Sequence, residues 1–142
     1  MVYTIGYGGR DISELLSILV EFHVEVVVDV RRWPESSRIP LFTRDNLRKT
    51  LEKHGIKYVW LGDTLGGYRR GGYESYMETE EYRRGLSRLE EIARSHIVAV
   101  LCAERLWFRC HRRFIAESLV RDGFKILHIV EKGVVYEHWR RV

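Results

Sequence analysis

Residues 102–113, Cys-Ala-Glu-Arg-Leu-Trp-Phe-Arg-Cys-His-Arg-Arg, bring together both cysteines of the chain, a glutamate, a histidine and four arginines. Thiols beside histidine and arginine ionise early, because the neighbouring positive charge favours the thiolate. Cys110, followed by His111 and Arg112, fits that pattern, and a packed or disulfide-bonded cysteine is the plainer alternative. Cys102 and Cys110 also suit a redox or disulfide pair. Cys102 opens a segment like the strand-loop-helix turn of cysteine phosphatases and sulfur transferases. The phosphatase signature needs arginine six positions on, however, and position 108 is Phe. Glu104 and His111 are the candidate general acid and base of the segment. Cys102, Cys110 and His111 with Glu104 or His128 follow no recognised zinc spacing, so no metal and no other cofactor is expected.

Further chemistry is expected at the ends of other apolar runs. Asp29 and Arg31 follow Glu25–Val30, Gly6-Tyr7-Gly8-Gly9 follows Val2–Gly6, and Gly62-Asp63 follows Lys57–Leu61. In a parallel sheet such ends share one edge, where ligands of open α/β folds bind. Asp29 and Glu104 are therefore expected to face a common crevice with Arg31, Arg112 and His111. The same edge is where any such fold must turn polar. Gly6–Asp11 departs from a dinucleotide fingerprint at its third glycine, replaced by Asp11, so its glycines are read as a tight turn that lets backbone approach closely. The loop Gly62–Tyr73 interleaves glycine, arginine and tyrosine, as a lid over a nucleotide or single strand would, and equally as a flexible connection would.

These groups need a scaffold, and the hydrophobic pattern supplies one. Runs at Val2–Gly6, Glu25–Val30, Lys57–Leu61, Ile97–Cys102 and Phe124–Val130 are short and nearly continuously apolar, like strands covered on both faces. Four helical repeats alternate with them. One starts after Asp11 and one after Thr43, one spans roughly residues 74–95, and the last ends at Gly123. The alternation predicts an α/β fold: a single domain over residues 1–142, with a mostly parallel five-stranded sheet and helices on both faces, Rossmann-like. A closing hairpin around Lys132-Gly133 is expected, with a last strand Val134–Glu137.

The chain has 142 residues, 45% hydrophobic and 31% charged, and no apolar run near the ~18 residues that suggest a membrane span. With no signal peptide at its start, it is expected to be cytoplasmic and to need no membrane. Glutamine is absent, asparagine occurs once, and arginine outnumbers lysine nineteen to five. This composition suggests a thermophile, among which intracellular disulfides are tolerated. The net charge of +4 arises wholly after residue 100, where nine basic residues face five acidic ones. That basic segment suits an anionic small molecule or nucleic acid, or is simply a solvated surface.

Five ordered segments resemble the family of uncharacterised proteins catalogued as domain of unknown function 488. They are Thr4-Ile-Gly6-Tyr7, Asp29-Val-Arg31-x-x-Pro34-x-Ser36, Leu61-Gly62 with Leu65-Gly66-Gly67, Cys102-Ala-Glu104, and Cys110-His-Arg112. The resemblance implies that these residues line a shared site, although Tyr7 stands where many members have histidine. It implies no reaction. From the residues, the leading expectation is a hydrolase or transferase on a phosphate-bearing substrate, a nucleotide or nucleic-acid component. Asp29, Glu104 and His111 would carry the chemistry, and Thr4, Gly6, Tyr7, Arg31, Gly66, Gly67 and Arg112 would hold the substrate. The alternatives are a nucleic-acid binder without chemistry and a thiol-redox protein using Cys102 and Cys110.

Overall fold

The computed structural model describes residues 1–139, the side chain of Ser36 excepted. It contains six strands: β1 (Val2–Gly6), β2 (Val26–Asp29), β3 (Lys57–Trp60), β4 (Val98–Cys102), β5 (Ile126–Glu131) and β6 (Val134–Glu137). They form one sheet in the order β3-β2-β4-β1-β5-β6. The first five are parallel, and β6 returns antiparallel to β5 through the expected turn, where Gly133 adopts a positive φ of 77°. The sheet thus gains the hairpin strand that the sequence suggested. No helix among the described residues is long and apolar enough to cross a membrane.

Side chains alternate across the sheet, and helices cover both faces. On one face α1 (Ile12–Glu21) and α2 (Arg44–Lys53) bury Leu15, Ile18, Leu19, Leu47 and Leu51 against Ile5, Val27, Ala99 and Leu101. On the other face α5 (Glu80–Ser95) and α6 (Arg112–Arg121) bury Leu89, Ile92, Ile115 and Leu119 against Val2, Val28, Val98 and Val100. Each fully buried leucine contributes about 2 kcal/mol, so the two apolar faces supply most of the driving force. Short helices α3 (Gly62–Leu65) and α4 (Tyr73–Tyr76) lie in the segment between β3 and α5.

Local signals explain the helix ends. Asp11 caps α1 by accepting the Glu14 N–H at 2.7 Å, while Glu14 turns to Arg10 rather than back to the cap. The helical repeat expected from residue 74 is interrupted: Thr79 accepts the Tyr82 N–H and starts α5, leaving α4 as a separate turn. Thr43 stands at the start of α2, yet its hydroxyl donates to the Pro40 carbonyl instead of capping the helix.

Register decides which groups meet. Thr4 lies opposite both Val100 and His128, while Asp29 lies opposite Leu101 and Gly6 opposite Cys102. Partners in register share a face. Thr4, His128 and Cys102 therefore point toward α5 and α6, whereas Asp29 points with Leu101 toward α1 and α2.

Candidate functional site

The carboxyl end of β4 runs into Ala103–Leu106, a 3-10 turn at Trp107–Arg109, then Cys110, His111 and α6. The turn after β1 presses this loop into place. The Tyr7 and Gly8 N–H groups donate to the Cys102 and Ala103 carbonyls at 3.1 and 2.9 Å. A Cβ on Gly6 would stand 1.8 Å from the Glu104 carbonyl oxygen. The glycine is there because two backbones touch. Buried Arg10 fastens the same turn, donating to the Gly6 and Val130 carbonyls.

The two thiols meet at this edge. Cys102 reaches the α6 face by its position in β4, Cys110 precedes the first turn of α6, and their Sγ atoms are 2.8 Å apart without a bond. His111 Nε2 is 2.9 Å from the Val30 carbonyl, an acceptor only, so Nε2 carries the proton and Nδ1 is left as acceptor. Nδ1 lies 3.5 Å from Cys110 Sγ. The hydrogen bond from Cys102, then the hydrogen bond and charge that His111 carries once Nδ1 has taken the thiol proton, hold the Cys110 thiol well below the usual range against the opposing effect of burial. Burial pushes the Cys102 thiol up. One sulfur is therefore prepared as a thiolate and the other as its proton donor.

Arg112 supports this arrangement from below. Only 1% exposed, it donates to Thr4 Oγ1 at 3.2 Å and to the Glu104 and Arg105 carbonyls at 2.7 and 3.3 Å, while its Nε has no partner. Among the described residues no carboxylate contacts it. Its own backbone N–H lies 3.5 Å from Cys110 Sγ. Thr4 also meets His128 Nδ1, and His128 Nε2 continues to His138 at 2.9 Å, which reaches Glu117 at 2.7 Å. Burial, with His138 and Arg112 nearby, pushes His128 down to about 3. Trp107 stacks flat on the His128 ring at 4.2 Å.

Above the thiols lies a crevice of about 570 Å³. Cys102, Cys110 and His111 line it, with Glu104 on its wall and Tyr7 at one side. Its cations are Arg32, Arg109 and Arg113 beside Arg31. At the rim Trp33 and Tyr68 stack at 5.6 Å while remaining 54% and 84% exposed, and the Arg32 guanidinium sits 5.0 Å over the Trp33 ring. Gly67 passes directly over the histidine: a Cβ there would lie 3.1 Å from His111 Nδ1. A larger groove of about 1090 Å³ runs along α6 toward Tyr136 and Trp139, and neither cysteine lines it.

The expected site residues divide into three groups. Cys102, Cys110, His111, Glu104, Tyr7, Gly67 and Arg31 meet at the crevice. Thr4, Gly6 and Arg112 lie beneath it as supports, and Gly66 packs against Arg32 rather than lining it. Asp29, expected as an acid or base in the crevice, is fully buried on the opposite face. There Arg31 grips it through Nε and a terminal nitrogen at 2.9 and 2.7 Å, the Arg31 N–H adds a third bond, and the Tyr58 hydroxyl donates a fourth. Burial and the Asp29 charge push the Tyr58 hydroxyl up. Arg31 spends its remaining terminal nitrogen on the Phe42 carbonyl at 2.6 Å. Neither group of this pair is available to a substrate, because register turned Asp29 away from the thiols.

The segment Gly62–Gly72 is pinned rather than loose. Arg69 donates to the Gly66 and Asp63 carbonyls and lies 4.0 Å over Tyr76, while Tyr73 and Tyr76 donate to the Leu65 and Thr64 carbonyls. Sequence reasoning missed Trp33 and Tyr68 as a pair, and His138 and Glu117 as continuations from His128. The signals for the first were the length of the connection Arg31–Phe42, which carries Trp33, and the tyrosines of the loop Gly62–Tyr73, which carries Tyr68. Among the described residues no three His, Cys, Asp or Glu side chains group as metal ligands.

No curated protein and no solved structure matches the chain. A family model described as domain of unknown function DUF488 matches residues 11–119, a span holding every expected motif except Thr4–Tyr7. With most of its length matched, and with Cys102, Glu104, Cys110 and His111 brought to one crevice, the chain belongs to the DUF488 family.

Proposed function

We propose that the protein is a cytoplasmic hydrolase or transferase acting on a phosphate-bearing substrate, a nucleotide or a component of nucleic acid, through a Cys110 thiolate. The observation that carries this reading is the Cys110–His111 pair at the floor of a crevice lined by Arg32, Arg109 and Arg113. The thiolate attacks the phosphorus or glycosidic carbon, forming a bond from Sγ as the bond to the leaving oxygen or nitrogen breaks. His111, protonated at Nδ1 by the thiol, gives that proton to the leaving atom. Water or an acceptor hydroxyl then displaces the thiolate and returns a proton to Nδ1. Glu104 is the carboxylate beside this path and serves the second proton transfer. Arg109 and Arg113 hold the phosphate, while Trp33 and Tyr68 give a base a surface to stack on.

The test pairs calorimetric binding with turnover across nucleotides, phosphorylated sugars and short oligonucleotides. Cys110→Ala should bind a ligand and not turn it over. Arg109→Ala or Arg113→Ala should weaken binding by about tenfold or more, the worth of one charged hydrogen bond. Turnover that survives in Cys110→Ala would sink the reading. The exposed Trp33–Tyr68 stack also favours a second reading, a single-strand binder without chemistry. Its affinity would fall steeply with salt and would be indifferent to Cys110.

A further inference from the structure

Cys102 and Cys110 differ in what can reach them. Both line the crevice, but Cys110 is partly exposed there beside His111, whereas Cys102 is 2% exposed and its sulfur makes its hydrogen bonds to Cys110 and the Glu104 carbonyl. An attacking thiol must meet a substrate, and a resolving thiol need only meet the attacker. The sulfurs lie 2.8 Å apart, so a bond between them asks for little movement. Arg112 supplies a second, independent observation. Among the described residues it is a buried guanidinium with neutral partners, one orphaned Nε and no carboxylate. Burying a cation in this way is costly unless an anion lies nearby, and a Cys110 thiolate is that anion.

We propose that Cys110 and Cys102 form a catalytic dithiol pair that reduces hydroperoxides, with Cys110 attacking and Cys102 resolving. The proposal shares the thiolate of the preceding reading but not its phosphate-bearing substrate. In the first step Sγ of Cys110 attacks the terminal oxygen of ROOH. The S–O bond forms, the O–O bond breaks, and the departing alkoxide takes the Nδ1 proton of His111 to leave as ROH. Cys110 is then a sulfenic acid. In the second step Cys102 Sγ attacks that sulfur: the S–S bond forms, the S–O bond breaks, and hydroxide leaves as water with the Cys102 proton. An external dithiol returns the pair to two thiols by exchange. A recessed sulfur favours a small oxidant over a protein disulfide, and Arg32, Arg109 and Arg113 favour the developing alkoxide.

The probes are hydrogen peroxide as oxidant and dithiothreitol as reductant, with the full chain. One equivalent of peroxide should remove both titratable thiols and lower the intact mass by two hydrogens. Dithiothreitol should restore both and sustain continuous peroxide consumption. Cys102→Ser should instead gain one oxygen and react with dimedone. Cys110→Ser should react at least about a hundredfold more slowly, as an unactivated thiol does. Equal melting temperatures would certify that both variants fold. The proposal is overturned if the wild type gains oxygen without losing hydrogen, if Cys110→Ser matches its rate, or if dithiothreitol sustains no turnover. Peroxide inertness together with turnover of a phosphate-bearing ligand would remove this proposal alone. Peroxide turnover with no phosphate-bearing ligand bound would remove only the other.

Discussion

Replacing Asp29 with asparagine should damage the fold far more than the thiol chemistry. The carboxylate is fully buried and satisfies the Arg31 N–H, two Arg31 guanidinium nitrogens and the Tyr58 hydroxyl. Asparagine keeps the volume but turns one acceptor into a donor, facing groups that can only donate or that must now find a new acceptor. The Arg31 guanidinium, 7% exposed, is left as an uncompensated charge whose other strong partner is the Phe42 carbonyl. Breaking such a buried pair from one side costs ~3–5 kcal/mol. A native domain is stable by about 5–15 kcal/mol, so at least about a fifth of the margin is at stake. At ~2–4 °C per kcal/mol for a chain near this size, the melting temperature should fall by about 10 °C. Urea unfolding would measure this as a lower midpoint with an unchanged slope. Asp29→Leu combined with Arg31→Met, which removes both charges, should recover part of the loss. Iodoacetamide alkylation of folded Asp29→Asn should stay near the wild-type rate, because Asp29 lies on the opposite face from Cys110 and Arg31, which does line the crevice, keeps its bond to the Phe42 carbonyl. A loss under about 1 kcal/mol with slowed alkylation would refute this reasoning and return Asp29 to the site.

Other expectations follow from the same contacts. Native His128 is pushed down to about 3, while an unfolded histidine titrates near ~6.5, so the unfolded state takes up the proton first. Stability contributed by neutral His128 is whole above pH ~6.5 and is lost as pH falls toward the native value, by about 1.4 kcal/mol per unit. His128→Gln should flatten that acid limb in denaturant midpoints measured across pH. Cys110 is held below the ordinary thiol range, so its alkylation should persist well below pH ~8.5. In Cys102→Ala, which removes the largest stabilising contact, the alkylation profile should move toward alkaline pH. Gly6→Ala drives a Cβ to 1.8 Å from the Glu104 oxygen, a backbone atom. It should cost ~1–3 kcal/mol or more in thermal unfolding and detach the Ala103–Arg105 loop, slowing alkylation with it.

The sheet was legible because parallel strands covered on both faces must be apolar throughout, as Val26–Val28 and Val98–Leu101 are. The sixth strand was legible from Gly133 and the short Val134–Glu137 run. The break between α4 and α5 was hidden: Tyr73, Tyr76 and Met77 keep a helical spacing, and the Thr79 hydroxyl, bonded to the Tyr82 N–H, opens a new helix. The thiol, histidine and glutamate of the site were legible because they fall within one connection and cannot separate far. Asp29 was not, since a strand-end carboxylate reads the same on either face and only register against β4 assigns the face. The same blindness hid the crevice cations. Arg31 and Arg112 fit the motifs best, yet both are consumed inside the protein, and the cations left at the crevice are Arg32, Arg109 and Arg113.

Arg112 shows how far such consumption organises the site. Glu117 accepts from His138 Nε2, which leaves His138 Nδ1 to accept from His128 Nε2. His128 Nδ1 must then accept the Thr4 hydroxyl proton, and Thr4 Oγ1 must accept from Arg112. These assignments follow from the network, each tautomer fixing the next. Every donor points the same way, from a buried cation to a half-exposed carboxylate, so the bonds polarise one another cooperatively. His128 stays neutral in this order, in agreement with its lowered value. Adding a proton to His128 would turn its Nδ1 into a donor facing the Thr4 hydroxyl, reversing that link in the core. The carboxylate that answers Arg112 is thus separated from it by three side chains, too far to neutralise it in place. Its charge remains beside both thiols, and since burial pushes Cys102 up while the partly exposed Cys110 is held below the ordinary range, it is Cys110 that can answer the buried cation.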